Sequence, residues 1–325
     1  MKPPSHIRLA RRGELETVEQ LIASQLPDLI QPGHRRTALN HQLSDLIEDG
    51  CLIIAEANRR CAGLLALDLM QQQIIACHLD TALLDKSAPQ RMIHLAEQRA
   101  LCFGIRSLCC AVQVAALSFV RSLGYTPDTD EQTEGMHIVR KRLDPIAEPW
   151  QRAILHQHAE LGIPEDYGAR HRFPMVEDCR NPELIGLDIY DREQWLAPAA
   201  AAAWREMRDA AANAGVVLQV VSAFRSRDYQ ANLIRAKLDK GLTMKQILRV
   251  SAAPGFSQHH SGRALDLKTP GSSALEQDFA DTSAYRWLTA NARYFGFTET
   301  LPRNNRHGII WEPWHWYYGK GTTRS

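Results

Sequence analysis

The sequence has little of what marks a disulfide-stapled or zinc-ribbon protein. It contains seven cysteines, an odd number, and no two of them have C-x-x-C spacing. We therefore expect neither a disulfide framework nor a zinc ribbon. The cysteines fit a reducing cytoplasm, where they serve as small buried hydrophobic residues.

Excess charge and long apolar runs are also missing. The formal net charge is +1, which excludes a whole-molecule attraction to nucleic acid or to an acidic membrane. The N-terminus has no apolar stretch typical of a signal peptide, and the longest apolar segment, 100–120, is interrupted by Arg106 and Gln113. We expect a cytoplasmic protein with no membrane span and no nucleic-acid partner.

The length and composition are those of a folded protein with two domains. The chain has 325 residues, of which 45% are hydrophobic and 23% are charged. Strand and helix patterns alternate in the first half, and prolines are scattered among charges from 144 to 182. We predict an α+β protein with domains at 1–143 and 183–325, joined by an irregular linker at 144–182. In the second domain, patterns predict helices at 198–214 and 228–240 with a strand at 216–221 between them.

The most informative residues lie between Ser257 and Tyr318. His259 stands seven residues before Asp266, and in an extended chain Asp266 faces away from Leu265 and Leu267. Glu312 and His315 follow, three residues apart. Because a regular strand would point these two in opposite directions, Pro313 has to mark a turn if both reach one site.

Two imidazoles and one carboxylate leave a fourth position open on a tetrahedral zinc ion, as a hydrolytic metal requires. His259, Asp266 and His315 fit that count, and Glu312 is then a spare carboxylate suited to accept a proton. A buried hydrogen-bonding acid and ordinary core histidines explain the same residues, so spacing alone leaves both interpretations open.

The pattern S-x-H-x-x-G-x-A-x-D at Ser257–Asp266, followed by E-P-W-H at Glu312–His315, resembles the zinc D-alanyl-D-alanine carboxypeptidases of the VanY type. The stretch 221–230 is similar to that family's S-x-Y-R-S-x-x-x-Q segment, with phenylalanine in place of the tyrosine. The resemblance implies a small antiparallel sheet flanked by helices. It also implies one Zn²⁺ held by His259, Asp266 and His315. Glu312 would be the base and Arg225 would stabilise the oxyanion. Ser257 and Gln230 would contact the substrate. His260 is expected to be a bystander.

The activity implied is removal of the C-terminal D-alanine from peptidoglycan-type peptides, with such a peptide as the partner. An L,D-carboxypeptidase or an endopeptidase on the same scaffold is an alternative, because pocket walls decide between them. A non-enzymatic muropeptide sensor is another, although the intact Glu312 argues against it.

The segments IRLA at 7–10, AGLLA at 62–66 and AALSFVRSLGY at 115–125, with the order of elements around them, resemble the GNAT acetyltransferase fold over 7–143. That family cradles the acetyl-CoA pyrophosphate at a helix start with an R/Q-x-x-G-x-G/A loop. The corresponding stretch here, 84–89, lacks both glycines and ends in Pro89, which removes one N–H donor. We expect a degenerate module that does not bind acetyl-CoA; the alternative is a bifunctional peptidase and N-acetyltransferase.

Overall fold

The computed structural model describes residues 4–25, 36–58, 60–133 and 135–319. The chain divides into two units. The first unit comprises Met1–Arg152 and Gly168–Arg172, and the second comprises Ala153–Tyr167 and Phe173–Ser325. Both mix helices with largely antiparallel strands, so the fold class is α+β. The extreme ends of the predicted domains, 1–3 and 320–325, lie outside the described residues.

The first unit is built on a seven-stranded sheet with the order β1-β2-β3-β4-β5-β7-β6. Its strands are β1 (His6–Leu9), β2 (Leu52–Ala57), β3 (Arg60–Asp68), β4 (Gln73–Leu79), β5 (Ser107–Val112), β6 (Thr126–Thr133) and β7 (Met136–Arg142). Its helices are α1 (Leu15–Gln25), α2 (Arg36–Glu48), α3 (Ala88–Cys102) and α4 (Leu117–Ser122). The β4–β5 pairing is parallel and covers only Gln73↔Cys109 and Ile74↔Cys110, so most of β4 is not paired with β5.

Apolar layers cover both faces of this sheet. Met92 and Ala96 of α3 pack in one cluster with Leu65 of β3. The neighbouring residue of β3, Leu64, belongs to a second cluster with Val18 of α1. Because successive strand residues face opposite sides and both sides are covered, the central strands are continuously apolar.

The second unit has a four-stranded antiparallel sheet with the order β10-β11-β13-β12 and a separate β8–β9 hairpin. Its strands are β8 (Glu183–Leu187), β9 (Glu193–Leu196), β10 (Gln219–Ser222), β11 (Ala264–Lys268), β12 (Phe297–Glu299) and β13 (His315–Tyr318). Four helices lie within 183–319: α7 (Pro198–Asn213), α8 (Arg227–Asp239), α9 (Met244–Leu248) and α10 (Ser283–Asn291). The predicted helices at 198–214 and 228–240 are thus confirmed to within a residue or two, while the strand between them begins later than predicted.

The alanine-rich helix α7 buries one stripe of side chains against the sheet. Ala200, Trp204, Met207 and Ala211 recur at three- and four-residue steps and are buried, as an amphipathic helix requires. They share a core with Leu265 and Leu267 of β11. This core fixes one face of β11 and leaves its other face for polar groups.

The segment 144–182, expected to be irregular, contains two helices, α5 (Pro149–Leu161) and α6 (Tyr167–His171). Pro149 is the first residue of α5, where a missing N–H costs nothing and the fixed φ favours the helix. Ile154 and His158, four residues apart, are buried on one face. Pro149 therefore marks a helix start, whereas Pro164, Pro174 and Pro182 lie outside helices and strands.

Among the described residues, no helix combines the length and the apolar character that crossing a membrane requires.

Candidate active site

Strand pairing in the second unit brings two of the predicted ligands together. In the β11–β13 ladder, Asp266 lies directly opposite His315. Leu265 and Leu267 point into the core, so Asp266 faces the other side of the sheet, as the alternation predicted. The third residue, His259, lies in a 3-10 turn, Gln258–Ser261, that immediately precedes β11.

These three side chains converge in a buried cluster. His259, Asp266 and His315 are 2%, 3% and 3% exposed. One nitrogen or oxygen atom of each lies within 4.8 Å of the others. His259 Nε2 is 3.2 Å from Asp266 Oδ2, and His315 Nδ1 is 3.0 Å from Asp266 Oδ1. The residues that the sequence singled out therefore share one site.

The hydrogen bonds of His259 leave one ring nitrogen free for a cation. His259 Nδ1 is 2.5 Å from the Ala223 carbonyl oxygen, which can only accept, so Nδ1 carries the proton. Burial lowers the pKa of His259 to about 4, so the ring is neutral at pH 7 and Nε2 presents a lone pair. That buried Nε2 has no hydrogen-bond partner in the structure and faces a carboxylate oxygen. A metal cation held by both atoms would resolve this juxtaposition.

His315 is oriented in the same way by a residue that the sequence analysis missed. Its Nε2 lies 2.8 Å from Gln258 Oε1, which also accepts a hydrogen bond from the Thr300 hydroxyl at 2.7 Å. Because the amide oxygen is an acceptor, Nε2 donates and Nδ1 turns its lone pair toward Asp266. The sequence does not indicate the contact between Gln258 and His315, because it joins distant segments and is supported by Thr300.

The carboxylate of Asp266 completes the donor set. Its Oδ2 faces His259 Nε2 and its Oδ1 faces His315 Nδ1, and an aspartate is ordinarily ionised at neutral pH. Two nitrogen lone pairs and an ionised carboxylate form a donor set that suits Zn²⁺. No other set of three such residues lies this close among the residues that the structure describes.

Glu312 lines the same cavity as His259, His315 and Arg225. The N–H of His315 donates to the Glu312 carbonyl at 3.0 Å, which closes the turn at Pro313 that the sequence predicted. Desolvation raises the pKa of Glu312 to about 7, although His315 opposes the shift. A carboxyl group with this pKa can take up and release a proton near neutral pH.

Arg225 supplies positive charge at the edge of this cluster. Its Nη2 lies 3.7 Å from Asp266 Oδ2, and its buried Nε has no hydrogen-bond partner in the structure. The guanidinium therefore keeps donors available for an incoming oxygen atom.

The two expected substrate contacts also line this cavity, and each has a structural contact as well. The Ser257 hydroxyl accepts a hydrogen bond from the His259 N–H at 3.3 Å. Gln230 Nε2 donates to the Ala252 carbonyl at 2.7 Å, while its buried Oε1 has no partner in the structure. Gln230 thus retains an acceptor for a ligand, whereas the Ser257 hydroxyl also caps the turn that carries His259.

His260, which was expected to be a bystander beside His259, has a structural role. It is absent from the metal-capable cluster, but it is completely buried. Its Nδ1 lies 2.6 Å from the Arg225 carbonyl oxygen, and its Nε2 accepts from the Gly255 N–H at 3.0 Å. His260 therefore holds the main chain of Arg225, a role that sequence spacing does not indicate.

A buried histidine of α5 supports the loop that leads to this site. His158 is 5% exposed, its ring lies 5.3 Å from that of Phe256, and its Nε2 is 2.7 Å from the Pro254 carbonyl oxygen. Burial lowers the pKa of His158 to about 4. An unfolded histidine takes up a proton below about 6.5 whereas the folded one resists until about 4, so acid favours the unfolded chain.

We therefore expect His158→Gln to flatten the pH dependence of stability. As the pH falls from 7 to 4, the free energy of unfolding of the parent should decrease by up to about 3 kcal/mol more than that of the variant. Urea titrations at several pH values measure it, and His156→Gln, at an exposed position of the same helix, is the matched control. Parallel stability curves for the parent and His158→Gln would contradict the assignment.

Comparison with known proteins identifies the part of the chain that carries these residues. Residues 193–321 match the family model described as VanY, D-alanyl-D-alanine carboxypeptidase. These residues form a VanY-type domain. It includes all of the predicted site residues, from Arg225 to His315.

The chain is similar to a curated protein and to several solved structures. It is 30% identical over 133 residues to the "Putative carboxypeptidase YodJ" of Bacillus subtilis, a match covering 39% of this chain and 47% of the relative. The chain thus spans about half the length of that relative.

Two solved structures illustrate the range of similar proteins. One is the LdcB LD-carboxypeptidase, at 28% identity, 44% of this chain, 70% of the other and a TM-score of 0.40. The other is a mutant of the vancomycin resistance D,D-pentapeptidase VanY in complex with Zn(II), at 26% identity, 44% of this chain, 86% of the other and a TM-score of 0.35.

Proposed function

We propose that the VanY-type domain is a zinc-dependent carboxypeptidase that removes the C-terminal D-alanine from peptidoglycan-type peptides. The observation that carries the proposal is the convergence of His259, Asp266 and His315 beside a free carboxyl group, that of Glu312. The match to the D-alanyl-D-alanine carboxypeptidase model supports the substrate class.

The donor atoms fit one zinc ion. His259 Nε2, His315 Nδ1 and a carboxylate oxygen of Asp266 would hold it, which leaves one coordination position for water or substrate. Zinc bound there supplies a Lewis acid that polarises the water and the scissile carbonyl group.

The chain's own residues account for the proton transfers. Glu312 accepts a proton from the attacking water as its oxygen bonds to the scissile carbonyl carbon. The Arg225 guanidinium donates hydrogen bonds to the carbonyl oxygen as negative charge develops on it. The C–N bond then breaks, and Glu312 passes its proton to the departing amine of the terminal D-amino acid. Water is consumed, and Glu312 returns to its starting form.

Positioning of the peptide falls to the polar groups around this cavity. The unpartnered Gln230 Oε1 can accept a peptide N–H, and the Ser257 hydroxyl can donate to a peptide oxygen. His260 holds Arg225 in place through its main chain.

The alternatives are an L,D-carboxypeptidase and an endopeptidase, and product masses separate them. The zinc-loaded protein is incubated with pentapeptide and tetrapeptide stems and the products are analysed by mass spectrometry. Loss of one alanine from the pentapeptide alone supports the D,D assignment. Loss from the tetrapeptide supports L,D cleavage, and an internal cut supports an endopeptidase. Absence of any cleavage would overturn the proposed activity.

For the first unit we propose a GNAT-like module that does not bind acetyl-CoA. A cavity of about 660 Å³ lies beside the start of α3, lined by Leu79, Leu84, Asp85 and neighbouring residues. The Asp85 carboxylate occupies the helix start: it accepts hydrogen bonds from the Ser87 N–H at 2.9 Å and the Ser5 N–H at 2.7 Å. It also pairs with Arg91 at 2.7 Å. A pyrophosphate at this position would meet a resident anion.

Calorimetric titration of the full chain with acetyl-CoA should therefore give no heat of binding at micromolar ligand. A known acetyltransferase of this fold is the positive control for the titrant. Saturable binding in the micromolar range would favour the bifunctional interpretation and exclude the degenerate one.

A further inference from the structure

A lysine that the sequence analysis did not single out lies on the helix that carries Gln230. Lys237 follows Gln230 by seven residues on α8, so the two side chains project from one face, two turns apart. Ile234 lies between them and is fully buried. Lys237 is itself half-buried, which is unusual for a lysine without a carboxylate partner.

The ammonium of Lys237 contacts a residue that lines the active-site cavity. Nζ donates a hydrogen bond to the Ser251 hydroxyl at 2.5 Å, and Ser251 lines the cavity together with Arg225 and Glu312. Within the described part of the chain, Lys237 forms no ion pair. A charge that is partly removed from water and left without a counter-ion is costly unless a ligand supplies one.

The electrostatic surroundings indicate which ligand that is. Burial lowers the pKa of Lys237, the Arg225 charge lowers it further, and the Glu312 carboxylate opposes both effects. The ammonium therefore senses both groups that face the reacting bond. Arg225 already lies 3.7 Å from the Asp266 carboxylate, so an additional anion would balance the charge of Lys237.

We infer that Lys237 is a specificity residue whose ammonium binds the free C-terminal carboxylate of the peptide substrate. The inference rests on the proposed function, because that reaction places a free carboxylate one residue beyond the scissile bond. A charge-assisted hydrogen bond to a carboxylate is about twice as strong as one to a neutral amide. Lys237 would then favour removal of a terminal residue over cleavage within a chain.

The test compares a free acid with its amide. Lys237→Met removes the charge and keeps much of the apolar stem; Lys240→Met, at an exposed lysine of the same segment, is the matched control. The substrates are an N-acylated peptide ending in D-Ala-D-Ala and the same peptide with a C-terminal amide. Zinc content and thermal melting of each variant are measured alongside the kinetics.

We expect Lys237→Met to raise KM for the free acid by roughly 10- to 100-fold. It should change kcat little and leave kcat/KM for the amide unchanged. Lys240→Met should match the parent on both. An unchanged KM for the acid, or an equal loss on acid and amide, would overturn the inference.

A binding measurement separates this inference from the proposed reaction. In a Glu312→Gln background, calorimetry compares the affinity for the free acid with and without Lys237→Met. If Lys237→Met weakens binding of the free acid but not of the amide, the carboxylate site is supported even if the parent cleaves neither peptide. If both proteins bind the acid equally and the parent chain cleaves it, the carboxylate site is rejected and the proposed reaction is retained.

Discussion

Replacing Glu312 with glutamine should reduce hydrolysis of a D-Ala-D-Ala-terminated peptide by roughly 1,000-fold, within the range expected for loss of a general base. The amide keeps the shape of the side chain but cannot accept the proton of the attacking water. Glu312 is not one of the three proposed ligands, so zinc content should be unchanged. Turnover is followed by mass spectrometry and zinc by elemental analysis.

The control for this variant is Glu206→Gln, at an exposed position of α7. It should match the parent in rate and in zinc content. A Glu312→Gln protein as active as the parent would exclude Glu312 as the base. One that is inactive because it has lost zinc would instead assign Glu312 to the metal.

His259→Ala should lower zinc affinity by more than about 100-fold, because even the loss of a residue that only orients a ligand costs 10- to 100-fold. Hydrolysis should fall with it. Competition against a chromogenic chelator measures the affinity, and the rate is determined at matched zinc occupancy. The exposed His156→Ala variant should retain the parent's affinity.

A second substitution separates loss of a ligand from loss of folding. Asp266→Asn keeps the volume of the side chain and removes its charge, and it should also weaken zinc binding strongly. Near-UV circular dichroism reports whether each variant keeps its packing. Parent-like zinc affinity in folded His259→Ala and Asp266→Asn proteins would refute the metal centre.

The sequence predicted part of the arrangement because local geometry determines it, whereas the roles of the residues came from the family resemblance. Alternation along β11 sends Asp266 away from the core leucines, and the turn at Pro313 lets Glu312 and His315 reach one cavity. Both conclusions need only strand periodicity and the properties of proline. The cross-strand pairing of Asp266 with His315 then completes what the spacing suggested.

The supporting residues could not be predicted, since their roles arise from contacts between distant segments. Gln258 orients His315 across 57 residues of sequence, and His260 holds Arg225 across 35. Lys237 meets Ser251 only because the loop after α9 passes beside α8. Helix α5 was missed for a different reason: its opening proline resembles a loop signal unless the buried stripe behind it is weighed.

The pairing of Asp266 with His315 links the donor set to the register of the sheet. A slip of one residue between β11 and β13 would turn Asp266 into the apolar layer and Leu265 out of it, since the side-chain period is two. The coordinating geometry therefore exists only in the correct alignment of these strands. An ion that binds only this alignment adds its binding free energy to the stability of the β11–β13 pairing. Removal of the cation should therefore weaken this pairing, and disruption of the pairing should release the cation.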